Sequence, residues 1–166
     1  MLISDEYRAI NINFHELKRN FGAGGRKWSE LVRPYEGQSI LDYGCGKGTL
    51  KKALGFDIAE YDPAIVGKDA LPEPADVVVC LDVLEHIEPE NLDDVLTHIH
   101  SLMRRRGIFV ISCRKAKKVL PDGRNAHLIV NEWGWWKGKL NPYFKITKFE
   151  HDTTQEREVC AWVKPR

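Results

Sequence analysis

"ILDYGCGKGTL", residues 40–50, sets Gly44, Gly46 and Gly48 at alternate positions behind a short apolar run that holds Asp42. Glycine within a folded element gives up more conformational freedom than any other residue. Three at this spacing point to a tight turn against which a ligand lies closely. A buried strand, a glycine loop and a helix ("TLKKAL") begin a nucleotide-binding βαβ unit, in which the loop admits the ligand and the helix presents its N-terminal amides. Such a unit wants a second acidic residue about 20 positions further on to hold ribose hydroxyls. "FDIAEYD" supplies Asp62 there, with Glu60 as the competitor. The dinucleotide pattern GxGxxG is not met, because Thr49 stands in place of its third glycine. Asp42 repels a pyrophosphate and suits a cationic ligand that carries an amino-acid group.

Outward from this stretch the chain alternates strands and helices. "SDEYRAININFHELKRN" (4–20) reads as a helix capped by Ser4, with Tyr7, Ile10, Phe14 and Leu17 on one face. "FGAGG" breaks the chain, and "RKWSELVRPY" makes a short helix closed by Pro34. "ADVVVCLD" is a continuous apolar run, the pattern of a central parallel strand covered on both faces. "PENLDDVLTHIHSLMRRRG" (89–107) is the strongest helix, with Pro89 at its start, Leu92, Val95, Leu96, Ile99, Leu102 and Met103 as its stripe and Gly107 as terminator. "GIFVISCR" is the next strand. "NEWGWWKGKL" is a helix, and "YFKITKFE" and "REVCAWVK" pair as a C-terminal hairpin. The expected fold is α/β: a Rossmann-like, mostly parallel sheet with helices on both faces and an antiparallel hairpin at the end. The third strand is abridged to "IVGKD" (65–69).

At 166 residues the chain reads as one domain with a substantial core. Residues 1–36 form a helical lid, 37–113 the cofactor-binding core, and 114–166 an acceptor-side insertion with the final strands. No apolar run is long enough to cross a membrane, and the start "MLISDEYRAI" resembles no leader. With four widely spaced cysteines and no CxxC, a reducing, cytoplasmic setting is expected, as a monomer or homodimer. The net charge of +1 hides an asymmetry. Residues 1–100 carry 10 Lys/Arg against 18 Asp/Glu, a balance of −8; residues 101–148 carry 12 against 2, a balance of +10. Either Arg104–Arg106 and their neighbours merely suit a helix C-terminus, or the basic half meets an anionic partner.

The cationic amino-acid ligand so described is S-adenosylmethionine, and the motifs agree. "LDYGCGKG" resembles the first motif of the class I S-adenosylmethionine-dependent methyltransferases. "YDPAI" resembles their second acidic motif, and "GKDALPEPADVVVCLDVLEHI" their adenine-contact and fourth-strand region. "DVLEHI" is similar to the small-molecule and ubiquinone-pathway type. The resemblance covers Ser39 to Cys113 in order. It implies that Asp42, Gly44, Cys45 and Gly46 line the methionine moiety and that Asp62 binds the ribose with Pro63 beside the adenine. It further implies that Asp69 and Ala70 approach the adenine edge and that Leu81, Asp82 and Val83 close the cofactor from below.

The acceptor belongs at the carboxyl ends of the strands. Methyl transfer from a sulfonium needs in-line approach and exclusion of water, and a base only where the acceptor must lose a proton. His86 is the best-placed base, with Glu85 and His127 behind it; a merely structural role fits each as well. His15 and Arg114 are acceptor-binding candidates, and so are Trp133 and Trp136 of the tryptophan cluster. Core packing accounts for one or two of those tryptophans; three in four residues suit a wall for a flat or sugar-like acceptor. His98 and His100, two apart on one helix, point to different faces, and no metal is expected. A small polar, anionic acceptor leads. An RNA or DNA acceptor, a non-catalytic cofactor-binding subunit and a nicotinamide enzyme follow in that order.

Overall fold

The computed structural model describes residues 1–17, 21–152 and 157–166. Among them six strands form one sheet: β1 (Ile40–Tyr43), β2 (Ala59–Tyr61), β3 (Ala75–Leu81), β4 (Met103–Ser112), β5 (Phe144–His151) and β6 (Glu158–Pro165). Their order is β2-β1-β3-β4-β6-β5, parallel from β2 to β4, with β6 antiparallel to both β4 and β5. The expected Rossmann-like sheet and C-terminal hairpin are both present. Alternation along β3 divides the core. Val78 and Cys80 join a cluster with Leu92, Val95, Leu96 and Ile99 of helix α4 (Leu92–Leu102) and with Trp136 and Leu140 of α5 (Trp133–Leu140). Val77 and Val79 face the other way, toward Val32 of α2 (Ser29–Val32) and Leu50 and Leu54 of α3 (Thr49–Leu54). Burial on both faces explains why β3 reads as one apolar run rather than an alternating one.

The first helix, α1 (Asp5–Leu17), is capped by Ser4 Oγ, which accepts the amide of Tyr7 at 3.2 Å. Residues 18–20 of the expected helix lie outside the described residues. Ser4 Oγ also donates to Glu88 at 2.6 Å, and Tyr7 OH donates to the carbonyl of His86 at 2.8 Å. Tyr7, Phe14 and Phe21 pack with Leu120 and Ala126 of the long connection after β4. Helix and connection thus meet over the carboxyl ends of the parallel strands.

Two expectations are corrected. The long helix ends at Leu102, and Met103–Arg106 begin β4 instead of finishing the helix. The pairing Ala75↔Met103 and Val77↔Arg106 places one extra residue in β4, a bulge that admits the arginine run to the sheet. Gly107 is accordingly no terminator. It lies inside the strand, where an added Cβ would press on Met103 and approach Val163 at 3.1 Å. Residues 65–69 form turns and no strand: Ile65 N donates to Asp62 O at 3.2 Å and Lys68 N to Ile65 O at 3.0 Å. Two successive turns, the second passing through Gly67, leave no extended run there to pair, so β2 stands as the sheet edge.

Candidate active site

A cavity of about 470 Å³ opens at the carboxyl ends of β1, β3 and β4, roofed by α1 and the connection after β4. The glycine loop forms one wall. Gly44, Gly46 and Gly48 all have positive φ (79°, 50° and 67°), which frees the turn from Cβ sterics. Their reason is also internal to the protein. A Cβ at Gly44 would meet the Val83 methyls at 2.5 and 2.7 Å, and one at Gly46 would meet Gly22 O at 2.5 Å and Gly22 Cα at 2.8 Å. The "FGAGG" break therefore packs directly on the glycine loop, an approach sealed by Lys47 N donating to Gly22 O at 2.8 Å. The sequence marks that break as a chain interruption; the close contact is what requires it.

Asp62 clamps the loop from the second strand. Its two carboxylate oxygens accept the amides of Gly46 and Ala64, each at 2.9 Å, and the side chain lines the cavity. Glu60 does not line it; its carboxylate lies beside Gly48 with Lys68 Nζ at 3.2 Å. Of the two ribose candidates, Asp62 faces the cavity and Glu60 does not. Gly44, Cys45, Gly46, Pro63, Leu81, Asp82 and Val83 also reach the wall. Asp82 adopts φ 56°, rare outside glycine though tolerated best by Asn and Asp. It accepts the Trp28 indole N–H at 2.8 Å. Asp69 and Ala70 are exposed and absent from the wall: Asp69 instead binds Arg8 at 2.9 Å, held there by the turns that replace the third strand.

Asp42 is buried beneath the loop, and that burial, with the charge of Glu60 next, pushes its carboxyl up to about 7. A carboxyl held above its ordinary value contributes full stability below about pH 4, lost as pH rises through the folded value. Asp42→Asn should therefore flatten the fall in melting temperature of the ligand-free protein between pH 5 and 8. Comparing the two profiles isolates Asp42, and parallel profiles would show that it does not titrate there.

Glu85, His86, Arg114 and His127 also line the cavity, as does His15, whose ring lies against Gly22 beside the glycine loop. His86 Nδ1 contacts the Ala126 carbonyl and His127 Nδ1 the Arg114 carbonyl, each at 2.6 Å. A carbonyl only accepts, so each Nδ1 carries the proton and each Nε2 keeps its lone pair. Burial holds His86 down to about 4 and His127 below its ordinary value, so both imidazoles are neutral near pH 7. Glu85 is fully buried and pushed up to about 8, by burial first and the charge of Asp82 second. Lys117 and Lys118 of the basic segment also line the cavity, with Tyr7, Asn11, Lys27 and Glu158, which no sequence motif singles out. The apolar stripe of α1 marks Tyr7 only as core.

Trp133 and Trp136 do not reach this cavity. Their helix leads into β5 at the sheet edge, two strands beyond β4. Trp136 is fully buried in the core there, and Trp133 stacks on His151 with ring centroids 4.5 Å apart. Trp136 is thus a packing element of the antiparallel edge, while Trp133 stands half-exposed on the same helix, away from this cavity.

The parallel sheet, the glycine loop and the carboxylates of Asp42 in β1 and Asp62 after β2 are those of the class I methyltransferase fold. A profile described as a methyltransferase domain matches residues 13–155. The chain belongs to that family. No curated protein matches it. Among solved structures it is similar to 1,6-didemethyltoxoflavin-N1-methyltransferase from Burkholderia thailandensis, with 1,6-didemethyltoxoflavin and S-adenosylhomocysteine bound. That pair has 17% identity and TM-score 0.66, over 96% of this chain and 89% of that one. It is also similar to magnesium protoporphyrin IX methyltransferase from Synechocystis PCC 6803 with bound SAH. Here the values are 19% identity and TM-score 0.61, over 86% of this chain and 84% of that one. N-methyltransferase NodS from Bradyrhizobium japonicum WM9 aligns at 15% identity and TM-score 0.57, over 84% and 93%.

Proposed function

We propose that the protein transfers the methyl group of S-adenosylmethionine to a small, polar, anionic acceptor. One observation carries this reading: a single cavity is lined both by the glycine loop and Asp62 and by Arg114, Lys117 and Lys118, with Lys27 paired to Glu158 at 2.7 Å in the same wall. The loop and Asp62 would take the nucleoside and methionine parts of the cofactor, with buried Asp42 favouring its cationic portion. The basic residues would draw the acceptor's anionic group toward the methyl. Solved structures of similar fold with S-adenosylhomocysteine bound support the cofactor assignment by likeness, and titration of this protein with S-adenosylhomocysteine is the test. Residues 1–36 act as the lid in this scheme, 37–113 as the cofactor core and 114–166 as the acceptor side, in a cytoplasmic enzyme.

His86 and His127 offer neutral acceptor nitrogens toward the cavity, which suits removal of a proton from an acceptor hydroxyl or amine as the methyl arrives. The roof formed by α1 over the cavity would limit water around a bound sulfonium. A transfer screen with labelled cofactor against phosphorylated and carboxylated small molecules tests the acceptor class.

The strong positive balance of residues 101–148 favours a nucleic-acid acceptor as the second reading. Its charges are divided, however. Arg104–Arg106 begin β4, at the opposite end of the sheet from the cavity, and Arg124 is tied to Asp122 at 2.6 Å. Arg114, Lys117 and Lys118 remain at the cavity. Filter binding at two salt concentrations should show weak retention of RNA and DNA at physiological salt. Tight binding that falls steeply with salt, each neutralised phosphate releasing counterions, and that is lost on reversing these charges would put the nucleic-acid reading first.

A further inference from the structure

The cavity wall holds a side-chain cluster whose lone pairs, free to take a proton in the metal-free protein, would be committed to a cation when one is bound. Glu85 and His86 sit on one 3-10 turn (Leu84–His86) after β3, and His127 comes from the connection between β4 and α5. One ligand atom from each of the three lies within 4.8 Å of the other two. Glu85 Oε1 accepts the Ser112 amide at 3.0 Å, while its buried Oε2 has no hydrogen-bond partner. A buried carboxylate oxygen without a donor is costly. Its two neighbours cannot relieve it as they stand, because both histidines give their Nδ1 protons to backbone carbonyls and present only lone pairs on Nε2. Near pH 7 a proton can relieve the Glu85 carboxyl, which is held up to about 8; a cation that displaces this proton would meet three converging acceptors.

We propose that Glu85, His86 and His127 bind one divalent transition-metal cation. Two imidazole nitrogens and one carboxylate suit Zn²⁺, Mn²⁺, Fe²⁺ or Co²⁺ better than Mg²⁺ or Ca²⁺, which prefer all-oxygen shells. Nδ1–H bonds to the Ala126 and Arg114 carbonyls are the outer contacts that fix ligating imidazoles. The rings already stand edge to face, 4.8 Å apart at 87°. Three protein ligands leave a position open on the cavity side for water or an acceptor oxygen. Nearby charge is mixed: Asp82 and Glu158 act on the Glu85 side, and Arg114 and Lys118 on the histidine side. The cation site stands independently of the cofactor assignment.

The test uses the full chain, stripped with EDTA and titrated with Co²⁺ and Zn²⁺, following visible cobalt absorption, calorimetry and metal content. One equivalent should bind, and Zn²⁺ should raise the melting temperature. His127→Ala, at a partly exposed position, and Glu85→Gln should each weaken binding at least tenfold while circular dichroism shows the fold intact. Both variants should still bind S-adenosylhomocysteine, and Gly46→Ala should keep the metal while losing that ligand, which separates the two sites. Mg²⁺ at equal concentration should change neither spectrum nor melting temperature. Absence of stoichiometric binding, or undiminished binding in folded His127→Ala and Glu85→Gln, would overturn the proposal. Equal affinity for Mg²⁺ would overturn the assigned class of cation.

Discussion

Gly46→Val is expected to abolish S-adenosylhomocysteine binding, lowering affinity a hundredfold or more, roughly 2.7 kcal/mol. Two physical effects coincide at this residue. Its φ of 50° costs a residue with a Cβ about 1–2 kcal/mol, and more when the side chain is β-branched. The Cβ would also stand 2.5 Å from Gly22 O, a backbone atom that cannot rotate away. The loop must then shift, carrying with it the amide that Asp62 holds at 2.9 Å. Gly46→Ala meets the same backbone with a smaller side chain and should lose less stability while still displacing the loop. Calorimetry on folded variants decides the matter, and retained binding in a folded Gly46→Val protein would remove the glycine loop from the cofactor site.

Asp62→Ala should lower both stability and affinity. Truncation leaves the Gly46 and Ala64 amides without their carboxylate, and each unsatisfied buried donor costs about 1–3 kcal/mol. In a domain of this size each kcal/mol lowers the melting temperature by roughly 2–4 °C. Affinity should fall by about 1.5–3 kcal/mol, the scale of hydrogen bonds to a charged group. Glu60→Ala should weaken binding far less, since Glu60 lies beside Gly48 and Lys68 and off the cavity wall. A larger effect at Glu60 would identify it as the ribose ligand and displace Asp62.

These two residues belong to the part of the protein that was legible in sequence, and locality explains why. Strand β1, its loop and α3 carry their signals within fifteen residues, and β3 and the body of α4 declare themselves by uninterrupted or periodic apolar patterns. The end of α4 was misread for a related reason. Met103 continues the helical stripe and Arg104–Arg106 resemble a helix C-terminus, but a bulged parallel pairing with β3 claims them for β4. Tertiary pairing overrides local pattern there. The tryptophan cluster misled because aromatic residues serve a wall and a core equally well, and only the position of α5 at the sheet edge decides between them. The His86–His127 contact joins residues forty-one positions apart, and no spacing rule reaches that far. Nor does composition reveal that "FGAGG" packs on the glycine loop.

The central claim is that the cavity is a site for S-adenosylmethionine, and titration of the purified protein with S-adenosylhomocysteine and with NAD, by calorimetry, tests it most directly. The account predicts saturable binding of S-adenosylhomocysteine at one site per chain and no heat above dilution from NAD. Binding of NAD without S-adenosylhomocysteine would contradict it.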